Sequence, residues 1–99
     1  MPKTNVEALV TFLPTEYGGK VDATRTGYRG QFHYGGSDWD AAYVFPDVDE
    51  IEPGQTARVL LAFMSPQVHV GHVRAGMPFV LREGQKVVAY GSITSVIDL

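Results

Sequence analysis

Val6-Glu7-Ala8-Leu9-Val10-Thr11-Phe12 is the stretch on which the fold turns. Val6, Ala8, Val10 and Phe12 fall on one side of an extended chain, with Glu7 and Thr11 on the other. That is the period-2 pattern of a half-buried strand. Thr56–Phe63 repeats it, with Ala57, Val59, Leu61 and Phe63 inward and Thr56 and Arg58 outward, behind a Pro53-Gly54 turn.

Working outward, residues 30–34, 39–45 and 77–82 read as further strands. Arg82-Glu83-Gly84-Gln85-Lys86 is a short hairpin turn that leads into a last strand at 87–96. The 11 glycines and 6 prolines recur for most of the chain at roughly the 8–12-residue spacing of strand–turn units, leaving almost no window for a helix. Six strands without a helical crossover pair mostly antiparallel, and a sheet of that size must protect its edges. The expected fold is therefore all-β, a closed six-stranded antiparallel β-barrel filling one domain over residues 1–99. Residues 14–29 and 65–76 read as loops, the first long enough to hide a short strand at 21–25.

Composition narrows the function. An apolar fraction of 44% and a charged fraction of 19% are those of an ordinary globular chain. The net charge is −3, with acidic residues gathered at 38–40 and 47–52 and the eight Lys and Arg scattered. Nucleic-acid binders usually carry a basic face, so any RNA contact here is expected to be local. Absence of cysteine excludes disulfides, thiolate nucleophiles and thiolate zinc sites, and suits a cytoplasmic location. No apolar run approaches the ~20 residues of a membrane-spanning helix. Met1-Pro2-Lys3-Thr4-Asn5 has no hydrophobic stretch, so no signal peptide is expected.

Five short motifs, in order, carry a family likeness. They are Glu16-Tyr17-Gly18-Gly19-Lys20, Gly27-Tyr28-Arg29-Gly30-Gln31-Phe32, Pro53-Gly54, Ser65-Pro66 and Arg82-Glu83-Gly84. Together they resemble the C-terminal (third) domain of bacterial elongation factor Tu, from about residue 6 to residue 96. In that family an acidic-Gly-Gly-basic loop precedes a Gly-Tyr-Arg-Pro-Gln-Phe motif, and Pro-Gly-Asp, His-Pro and Arg-Glu-Gly follow. The resemblance implies a closed antiparallel barrel. It also implies contacts with the factor's other domains, the T-stem of aminoacyl-tRNA and the nucleotide-exchange factor. Lys20 stands where the family has an Arg, Gln31 matches the Gln of the second motif, and Glu83 and Gly84 match the hairpin near the RNA backbone.

The departures are as informative. Gly30 replaces the family's Pro, which is expected to loosen a turn. Gly35-Gly36-Ser37 stands where the family has Arg-Thr-Thr, losing a cation. The segment 66–82 is longer than the family's and holds His69, His72 and Arg74. No Gly-x-x-x-x-Gly-Lys-Ser/Thr phosphate loop occurs, so this chain is not expected to hydrolyse GTP.

Each candidate group also has a plainer reading. His69 and His72, with His33, have the donor count for zinc, but residues three apart on a strand face opposite ways, and solvated loop histidines are the simpler expectation. Gly18-Gly19 and Gly35-Gly36 precede no helix, so tight turns are favoured over phosphate cradles. Lys20, Arg25, Arg29 and Arg82 form the best local basic set, against acidic neighbours. Phe32, Tyr43 and Phe45 are expected to fill the barrel. Trp39, between Asp38 and Asp40, stands apart, and an aromatic in an acidic setting fits a protein partner better than RNA. Asp38 and Asp40 lack an acid–base partner, and Ser37 and Ser65 lack an adjacent His, so no enzyme is expected.

These readings rank a non-catalytic protein-binding module first, with a translation-linked partner or an effector that recognises elongation factor Tu. Binding of tRNA or structured RNA through Lys20, Gln31 and Glu83-Gly84 comes second, and a metal-dependent activity at His69 and His72 last. No cofactor and no membrane association are expected. A homodimer would cover any exposed apolar wall.

Overall fold

The two alternating segments pair with one another. In the computed structural model, which describes residues 3–99, β1 (Val6–Phe12) runs antiparallel to β6 (Thr56–Phe63), with Val6 opposite Leu61, Ala8 opposite Val59 and Val10 opposite Ala57. Met1 and Pro2, which head the stretch read as lacking a signal peptide, lie outside the described residues. Directly opposed residues share a face, so this register buries both apolar sets together.

Four more strands complete the wall: β3 (Gln31–Tyr34), β4 (Ser37–Val44), β7 (Pro78–Glu83) and β8 (Lys86–Val96). All neighbours pair antiparallel, and the order β1-β6-β4-β3-β7-β8 closes on itself as a six-stranded barrel. The register shifts at Glu7/Ala8 against β8 and at Leu81/Arg82. Such irregularities raise local twist and help a small sheet close. No helix is long and apolar enough to cross a membrane among the described residues.

Inside, Phe32 packs on Phe79 with tilted rings at 4.6 Å between centroids and meets Phe63 edge-on at 5.1 Å. Tyr43 is buried and donates its hydroxyl to the Gly30 carbonyl at 3.0 Å, so its one polar atom is satisfied. The β3–β4 connection is the two-residue turn Gly35-Gly36, with φ of 60° and 82°. Both central residues of that turn class need positive φ, which accounts for the glycine pair without any ligand.

The long loops hold more structure than their sequence announces. The strand expected at 21–25 shrinks to β2 (Thr24–Arg25), which pairs with β5 (Glu50–Ile51) in a separate two-stranded sheet. A 3₁₀ turn, Thr15–Tyr17, lies in the first long loop and another, Pro66–His69, in the second. The second turn corrects the expectation of solvated loop histidines. His69 is only 1% exposed. Its ring lies 4.1 Å from that of Phe63 and edge-on to Trp39 at 5.0 Å, packed against one end of the barrel core.

Candidate functional site

Two of the polar side-chain clusters on the barrel hold most of the candidate binding residues singled out by sequence. The first is a corner where the loop after the Thr15–Tyr17 turn meets the β7–β8 hairpin. Lys20 Nζ donates to Glu83 Oε2 at 2.7 Å, and Tyr28 Oη donates to the same oxygen at 2.7 Å. Lys20 Nζ also sits 5.1 Å from the centroid of the Tyr28 ring. Burial raises the Tyr28 phenol far above its ordinary pKa, and the Glu83 bond adds to that, so it stays a donor. For Glu83, burial pushes the pKa upward, but the bonds from Lys20 and Tyr28 outweigh it and hold the carboxyl below its ordinary value. Gly84 follows at φ 64°, on the tip of the hairpin.

Gly30 belongs to this corner in a way its sequence position did not reveal. It is buried, and a Cβ there would run into the Tyr28 hydroxyl and ring. The glycine therefore makes room for the tyrosine that holds Glu83.

The second cluster lies at the other candidate, Asp38-Trp39-Asp40 on β4. His33 Nδ1 and Asp38 Oδ1 are 2.8 Å apart, and Arg82 Nη1 approaches the same carboxylate oxygen at 3.7 Å. Gln31 donates its side-chain amide to Asp40 Oδ1 at 2.9 Å. Gln31, grouped by resemblance with Lys20, thus belongs to the acidic cluster. Trp39 is half-buried against His69.

His69 Nδ1 is 2.7 Å from Tyr34 Oη. Burial, with a smaller contribution from His72, lowers the imidazole pKa below its ordinary value, so the ring is neutral at pH 7. His72 is exposed, and His33 is engaged with Asp38 and Arg82, so the three histidines do not converge. No group of three or more metal-ligating side chains occurs among the described residues. Ser65 lines the same cleft as His69, but no hydrogen bond joins them among the described residues.

No protein-family model matches the sequence.

Three of the four cations in the basic set expected from sequence are paired with carboxylates. Lys20 pairs with Glu83, Arg25 with Glu50 at 3.5 Å and Arg82 with Asp38, while Arg29 has no carboxylate within 4 Å among the described residues. Ion pairs across loops and neighbouring strands have no signature in local sequence. What could have flagged His69 is its place six residues after the last inward position of β6, behind a Ser65-Pro66 turn signal.

Proposed function

We propose that this chain is a non-catalytic binding module, similar in fold to the third domain of elongation factor Tu, that acts by engaging a protein partner in the cytoplasm. The carrying observation is the contrast in charge satisfaction between the two clusters. Lys20, the cation best placed by resemblance to meet an RNA phosphate, is already neutralised by Glu83. The Asp38-Trp39-Asp40 segment instead offers, beside a half-buried tryptophan, the Asp40 carboxylate, which has no cation within 4 Å among the described residues, repels a phosphate backbone and suits a protein surface. The likeness of the five motifs to that factor supports a partner that also recognises it, such as its exchange factor or an effector directed at it.

The test presents immobilised protein with purified exchange factor, and separately with tRNA at ~50 mM salt, where phosphate contacts are strong. Retention of the exchange factor without retention of tRNA is the expected result. Retention of tRNA that Lys20→Ala weakens would favour RNA binding instead. Retention of neither, together with no translation-linked protein recovered from host lysate, would overturn the reading.

A further inference from the structure

We propose that the cleft between residues 37–40 of β4 and the Pro66–His69 turn receives a basic side chain, arginine in preference to lysine, from a partner-protein segment whose adjacent residues are apolar. This rests on the protein-binding reading above and adds the chemistry of the contact.

The cleft follows from topology. Residues 37–40 of β4 pair with β3, whereas the β6 pairing begins only at Ala41 opposite Phe63. Beyond that point the chain leaves the wall and crosses as the Pro66–His69 turn. A hollow of about 160 Å³ remains, lined by Asp38, Trp39, Asp40, Met64, Ser65 and His69.

Its charges are unevenly answered. Asp38 is met by His33 and Arg82. Asp40 has only the neutral Gln31 amide, and no Lys, Arg or His nitrogen lies within 4 Å of it among the described residues. A carboxylate beside a cleft with one neutral donor retains capacity for a charged one.

The second observation is His69. It is almost wholly buried, its Nδ1 is engaged by Tyr34, and it lines the cleft with Nε2 unengaged by any group among the described residues. In the tautomer whose Nδ1–H donates to Tyr34 Oη, Nε2 is an acceptor, and the neutral ring does not repel a cation. The planar guanidinium fork reaches two acceptors at once and stacks on indole, and the single point charge of lysine does this less well.

The flanks set the neighbouring residues. On one side Met64, Pro66 and Val70 border a hollow of about 460 Å³ floored by Ala62 and Phe63. On the other, Tyr34 and Val68 border a third hollow that shares Trp39 with the cleft. Met64 is 43% exposed, Val68 40% and Val70 55%. Isolated exposed aliphatics are ordinary, but three of them around one charged slot make a surface for an apolar–basic–apolar segment.

Trp39 is the chain's only tryptophan, so its fluorescence reports on the cleft. The probes are acetyl-Leu-Arg-Leu-amide and its citrulline analogue, which keeps the shape and loses the charge. The arginine peptide is expected to give a saturable change, and the citrulline peptide to bind about tenfold more weakly or worse. Asp40→Asn should weaken the arginine peptide by a similar factor, while Asp22→Asn on the first long loop leaves it unchanged. Equal affinity for the two peptides, indifference to Asp40→Asn, or no saturation by millimolar peptide would overturn the proposal. Self-association on sedimentation that Asp40→Asn abolishes would assign the cleft to a second copy and likewise overturn it. Because the probes are synthetic, failure here leaves the exchange-factor test free to succeed or fail by itself.

Discussion

The Lys20–Tyr28–Glu83 corner and the Asp40–His69 cleft are assembled alike, each from side chains on segments far apart in sequence, yet they differ in completion. In the corner, one carboxylate oxygen collects an ammonium and a phenol, and the ammonium also lies over the phenol's ring. Its polar groups answer one another. In the cleft, a carboxylate with no cation within 4 Å among the described residues and a buried imidazole share a hollow. Closed sets of this kind have little to gain from a newcomer, whereas unanswered groups beside a hollow do, and the proposed recognition rests on that difference.

The largest effect expected from breaking this contrast is at His69. Its ring fills space against Phe63, Tyr34 and Trp39, so His69→Ala removes that packing and strands the Tyr34 hydroxyl. A loss of about 3 kcal/mol is expected, comparable to other large-to-small changes in a core. Urea denaturation measures it, and a loss below ~1 kcal/mol would show the ring to be a lid rather than part of the packing. Next comes Gly30→Ala, which drives the Tyr28 ring from its seat and opens the corner. About 2 kcal/mol is expected, within the range of overpacking. Tyr28→Leu should suppress much of that cost in the double variant, since the clash partner is then altered.

The barrel was legible because burial on one side writes its period into the chain. β1 and β6 have the bounds that alternation implies, with Val6, Ala8, Val10 and Phe12 all buried. Where glycines or short polar turns bound a strand, as at Gly30 and Ser37, the ends move by a residue or two, since nothing in the local pattern marks the last hydrogen bond. β5 escaped notice because two residues, Glu50 and Ile51, cannot show a period, and an acidic run masks them. Trp39 was recognisable as unusual from its acidic flanks. The burial of His69 and the pairing of Lys20 with Glu83 were not, because both arise only when distant segments meet.

A smaller effect concerns pH. The folded-state pKa of His69 lies below its unfolded value, because burial disfavours the imidazolium and His72 adds like charge. Above the unfolded pKa of ~6.5 the ring is neutral in both states and its contribution is fully present. As pH falls below that and through the folded pKa, the unfolded chain takes up a proton more readily, and stability declines. Denaturation midpoints are therefore expected to drop between pH 7 and 5, and less so in His69→Gln, which cannot titrate. An equal drop in both proteins would assign the effect to other groups.

The smallest effect is at the corner itself, where it is also the most discriminating. Lys20 and Glu83 are partly solvated, and such pairs contribute ~0–1 kcal/mol. Glu83→Gln should thus change stability by no more than that, and less at high salt. Its consequence for recognition has the opposite sign to ordinary loss of function. Removing the carboxylate frees the Lys20 ammonium beside Lys86, whose own Nζ is 3.3 Å from the Gly19 carbonyl. Each phosphate so neutralised steepens the salt dependence of nucleic-acid binding by ~0.7–0.9. Glu83→Gln is therefore expected to raise tRNA retention at low salt above that of the native chain, with Lys20→Met in the same background reversing it. If native protein already retains tRNA and Glu83→Gln weakens that retention, the carboxylate is an RNA contact, and the division between a closed corner and an open cleft fails where it is drawn.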